Sequence, residues 1–75
     1  MKPLIYRYNG LFFIDKEQLS KEANTLEVCN ALYIAISKEF TGACENPLYN
    51  KLTMSEKMDK VNSFAHDWLK QRGLE

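Results

Sequence analysis

The sequence predicts an α+β fold in ββαα order, and three observations carry that prediction. Asn9-Gly10 separates two short runs of strand-forming residues, the apolar spacing changes from two to about 3.6 after Asp15, and capping motifs divide the helical remainder. The expected elements are a β-hairpin over about 3–14, a long helix over about 16–41, a short helical turn over about 47–52 and an amphipathic helix over about 54–72.

The hairpin follows from its turn. Asn-Gly is the preferred pair for a type I′ turn, because both central residues need positive φ. This fixes the register: Tyr8 faces Leu11, Arg7 faces Phe12, Tyr6 faces Phe13 and Ile5 faces Ile14. Alternation then puts Leu4, Tyr6, Tyr8, Leu11 and Phe13 on one face and Ile5, Arg7, Phe12 and Ile14 on the other. Both faces are largely apolar. The first set is the larger, so it is expected to face the core, leaving Ile5, Arg7, Phe12 and Ile14 as a contact surface with Arg7 as its anchor. The segment 43–53, with Leu48, Tyr49 and Leu52, is the internal alternative for covering that second face.

Asp15 with Gln18 resembles a capping box and predicts a helix start directly after the strand. Asn24 with Glu27 offers a second start, so the segment reads either as one helix kinked near Asn24 or as helices over 16–23 and 25–40. Thr41-Gly42 supplies the expected stop. Within it, Leu26 to Ile36 is apolar at nine of eleven positions, which predicts a helix buried on most sides. Asn46-Pro47 suits an N-cap followed by Pro at N1, and Thr53 with Glu56 is a capping box. Met54, Met58, Val61, Phe64, Ala65, Trp68 and Leu69 then form one stripe, and Gly73 closes the helix.

Seventy-five residues are expected to form one domain over 1–75 with a thin core. Ten basic and ten acidic residues cancel, so no global field favours nucleic acid or an anionic membrane. With no signal-like N-terminus and no long apolar span, the cytoplasm is the expected compartment, and Cys29 and Cys44 read as free thiols.

Catalytic chemistry finds no support. His66 is the single histidine, and Asp67 points about 100° away from it around the helix. Cys29, Cys44 and His66 are too few and too irregular for a closed zinc site, and Gly10, Gly42 and Gly73 are isolated, so no phosphate loop exists. No catalytic, metal or cofactor residue is assigned, and no cofactor is expected.

The chain is therefore expected to be a noncatalytic protein-binding module. A small regulator or inhibitor that docks on a larger protein fits best, of the sort that phages and other mobile elements often encode, with self-association into a homodimer through the hairpin face as a second use of that surface. The alternative is a nucleic-acid-binding regulator. It would use either the hairpin aromatics or a helix-turn-helix with Ser55, Lys57 and Lys60 near the start of the reading helix. Glu56 and Asp59 lie among those residues, and Arg7 lies on the face opposite Tyr6 and Tyr8, so both routes meet an electrostatic objection.

Overall fold

The computed structural model describes residues 3–75. Strands β1 (Ile5–Tyr8) and β2 (Leu11–Ile14) form an antiparallel hairpin, followed by helices α1 (Leu26–Cys44), α2 (Pro47–Asn50) and α3 (Met54–Gln71). The turn is built as its residues require, with Asn9 at φ 53° and Gly10 at φ 79°, and the register pairs Ile5 with Ile14 and Tyr8 with Leu11.

The hairpin lies across the two long helices, β2 against α1 and β1 against α3, while α1 and α3 pack on each other and α2 packs on α1. Where they meet, Leu4, Ile5, Ala23, Leu32, Ile36, Val61, Ala65 and Leu69 form the core, with Phe12 and Ile14 packed against it. Leu4 leaves the strand alternation. It sits at the bend before β1 and lines a cavity with Leu19, Leu69 and Leu74.

The segment after β2 differs from one long helix. Lys16–Gln18 make a single 3₁₀ turn, capped by the Asp15 carboxylate, which accepts from the Glu17 N–H. Leu19 is then extended, at ψ 144°. Ser20 starts a further turn by accepting from the Ala23 and Asn24 amides at 3.0 and 2.9 Å, while its hydroxyl donates to the Leu74 carbonyl at 2.7 Å. These bonds stop helix propagation and seat Ala23 in the core. Thr25, not Asn24, is the N-cap of α1, accepting from the Val28 N–H at 3.2 Å. Nor does Gly42 end that helix, which runs on to Cys44 with Glu45 as its C-cap.

The last helix matches its sequence signals at both ends. Thr53 Oγ1 accepts from the Glu56 N–H and Glu56 Oε1 accepts from the Thr53 N–H, at 3.2 and 3.0 Å. At the other end Gly73 adopts φ 67°. The Leu74 amide donates to the Leu69 carbonyl and the Gly73 amide to the Lys70 carbonyl, a Schellman motif with Leu74 folded back on the core. No helix among the described residues is long and apolar enough to cross a membrane.

Candidate functional site

The hairpin sits the other way up from the sequence expectation. Ile5 is fully buried and Phe12 and Ile14 are half-buried against the core, whereas Tyr6, Tyr8, Leu11 and Phe13 face outward at 44, 67, 56 and 39% exposure. Ile5, Phe12 and Ile14 therefore cannot form a free contact surface. The physical reason lies in the polar groups. Burying the first set would take two tyrosine hydroxyls out of water, each needing a partner. The second set carries only Arg7, whose long stem lets its charge stay at the surface.

Arg7 is not a free anchor either. Its guanidinium carbon lies 4.9 Å from the Phe40 ring centroid and 5.5 Å from that of Phe12, and the two rings meet edge to face at 5.1 Å. The cation thus covers an aromatic pair within its own chain. Its Nη1 reaches Met54 Sδ at 3.9 Å.

The outer face is built around Tyr6 and Phe13, a cross-strand pair whose rings stack at 5.5 Å and 14°. Among the described residues it carries no charge. Phe13 also borders a groove of about 220 Å³ between β2 and α1, lined by Ile14, Lys16, Leu26, Asn30 and Tyr33 among others. Here the expectation that α1 is buried nearly all round gives way. Cys29, Leu32 and Ile36 are buried, but Leu26 is 76% exposed and Tyr33 is exposed too, and both line the groove beside Phe13, so apolar helix surface continues outward from the hairpin. Segment 43–53 is not what covers the face of Ile5, Phe12 and Ile14: α1 and α3 do, and Leu48, Tyr49 and Leu52 are absent from the core they pack on.

A residue that sequence reasoning missed fixes one hairpin edge. The Asp15 amide donates to the Leu4 carbonyl at 2.8 Å. By alternation Ile5–Ile14 is then a non-hydrogen-bonded pair, whose backbone groups point away from the partner strand. On the β1 side Asn62 receives them: Oδ1 accepts from the Ile5 N–H at 2.8 Å, and Nδ2 donates to the Ile5 carbonyl at 2.9 Å and to the Met58 carbonyl at 2.9 Å. The signal for it was available, because Asn62 is a polar residue four positions after Met58 on the apolar flank of α3. On the β2 side the outward groups of Phe12 and Ile14 have no hydrogen-bond partner among the described residues.

Ser55, Lys57 and Lys60 are not brought onto one face. At about 100° per residue Ser55 lies about 160° from Lys57 and about 140° from Lys60 around α3. Lys57 is half-buried, and its carbonyl accepts from the Tyr49 hydroxyl at 3.1 Å. Burial, with Cys44 and Glu39 nearby, raises the pKa of that phenol. His66 Nδ1 meets Glu75 Oε2 at 3.0 Å on the surface. Cys29 is buried, Cys44 is half-buried, and both are free thiols. Among the described residues no three His, Cys, Asp or Glu side chains group as metal ligands.

Compared with known proteins, the chain matches no family model, no curated protein and no solved structure.

Proposed function

We propose that this chain is a noncatalytic protein-binding module, a small regulator or inhibitor that docks on a larger protein through the outer face of its hairpin. The observation that carries this reading is the uncharged, exposed set of Tyr6, Tyr8, Leu11 and Phe13, continued across the groove by Leu26 and Tyr33 on α1. A contiguous apolar patch of this kind favours association, and rigid tyrosines supply contact area at low entropic cost. The surface is not the one formed by Ile5, Arg7, Phe12 and Ile14, because Ile5, Phe12 and Ile14 pack inward and Arg7 covers Phe12 and Phe40. Two free thiols suit action in the reducing cytoplasm.

The test is affinity capture from the native host with wild type and a Tyr8→Ser/Leu11→Ser variant, each first verified as folded by circular dichroism. A stoichiometric protein lost only by the variant supports the reading. Equal capture by both chains, or a monomer that captures nothing, overturns it.

The outward aromatics also give the nucleic-acid reading a stacking platform, because Tyr6, Tyr8 and Phe13 stand on one exposed face. Electrostatics weighs against it. Among the described residues that face holds no cation, and Arg7 is engaged with Phe12 and Phe40. Salt-dependent retention of single-stranded DNA or RNA, lost on Tyr8→Ser, would favour it over protein docking.

A further inference from the structure

The two edges of the hairpin are not equivalent. The β1 edge is closed at Ile5 by the Asn62 side chain, which bonds both backbone groups. Along the β2 edge the amide and carbonyl groups of Phe12 and Ile14 point outward without partners among the described residues. An open edge of this kind is a template for one more strand, and main-chain hydrogen bonding is what gives strand addition its affinity.

We infer that the β2 edge takes an extended segment of a partner protein, which adds as a third strand over the groove between β2 and α1. This rests on the protein-binding reading but uses the strand edge instead of the outer face. The occupant is one strand and not a second copy of this chain. α1 packs under the β2 half of the hairpin and α3 under the β1 half, so a copy paired edge to edge would bring its own α1 alongside this one, where strands lie about 4.8 Å apart while helix axes need 8–10 Å.

The groove sets the chemistry of the segment. Side chains of an added strand alternate, so every second one points down onto exposed Leu26 and onto Tyr33 and must be apolar. Those between them lie beside Phe13 on the outer face. Among the described residues Lys16 is the only charged one lining the groove, and it stands just past the end of β2. The segment therefore carries an Asp or Glu at the end beside Lys16.

The test is selection of a random displayed heptapeptide library on the immobilised full chain, repeated with Lys16→Glu, an exposed position. The expected winners alternate apolar and polar residues with an acid near one end. Methylating the alternate amides that face β2 weakens them by about tenfold, the equivalent of one or two lost hydrogen bonds. Lys16→Glu shifts the selected end residue from acidic to basic. No enrichment, or winners indifferent to both changes, overturns the inference. Winners that lose binding only to Tyr8→Ser/Leu11→Ser overturn it while leaving outer-face docking in place. Winners lost to none of these variants overturn both.

Discussion

Asn62 on α3 acts as the missing strand neighbour of Ile5, accepting from its N–H at 2.8 Å and donating to its carbonyl at 2.9 Å. One amide side chain thus fixes the hairpin on the helix pair and satisfies backbone groups that a two-stranded sheet leaves open. The arrangement also explains the orientation of the hairpin. With Ile5 held against α3, its side chain enters the core and Tyr6 must point outward.

Replacing Asn62 with Leu leaves both Ile5 groups and the Met58 carbonyl without this partner, at a cost of about 1–3 kcal/mol. Asn62→Asp is expected to be at least as harmful at neutral pH, since a carboxylate would face the carbonyls of Ile5 and Met58. Urea denaturation of both variants checks this, and a neutral Asn62→Leu would contradict it.

Arg7 is expected to contribute through the rings it covers. Arg7→Gln removes the cation over Phe12 and Phe40 and should cost about 0.5–1 kcal/mol, while Arg7→Lys should retain part of that. Thermal melts of the two variants should therefore rank Lys above Gln.

The capping box at the start of α3 makes stability depend on acid pH. The backbone hydrogen bond from Thr53 and the bond with its side chain hold the Glu56 pKa below its ordinary value of 4.5. A carboxyl with a lowered folded pKa contributes stability above its unfolded value, and loses it as pH falls through the folded one. Stability should therefore drop on acidification below about pH 4.5, and Glu56→Gln should remove that part of the slope. Thr53→Ala should cost about 0.5–2 kcal/mol at neutral pH. Urea titrations at several pH values between neutral and strongly acid conditions measure both.

Gly73 holds the left-handed conformation, at φ 67°, that turns Leu74 back onto the core. Gly73→Ala should cost on the order of 1–2 kcal/mol. Leu74→Ala should cost about 1 kcal/mol by removing half-buried apolar surface. If the chain end were dispensable, both changes would be silent in a urea melt.

Local signals were legible in the sequence because their chemistry is local. Asn9-Gly10 sets the turn and register, and Thr53 with Glu56 and Gly73 bound α3 through bonds a few residues long. The break before α1 was not legible to the same degree, since Ser20 is tied to Leu74, a contact across 54 positions. The hairpin was the hardest case. Alternation sorts its residues into two sets, both largely apolar, and the contact that holds Ile5 inward, with Asn62, spans 57 positions. Counting hydroxyls would have served better than counting apolar bulk: Tyr6 and Tyr8 share a face, and that face is the outer one.

The most direct test compares two double variants by circular dichroism in a urea titration. Tyr6→Ser/Phe13→Ser removes a stacked pair from the surface and should stay folded, at a cost of about 1–2 kcal/mol. Ile5→Ser/Ile14→Ser empties the core side of the same hairpin and should exceed the roughly 5 kcal/mol available to a domain this small, leaving the chain unfolded without urea. A folded Ile5→Ser/Ile14→Ser chain beside an unfolded Tyr6→Ser/Phe13→Ser chain would contradict an outward aromatic face.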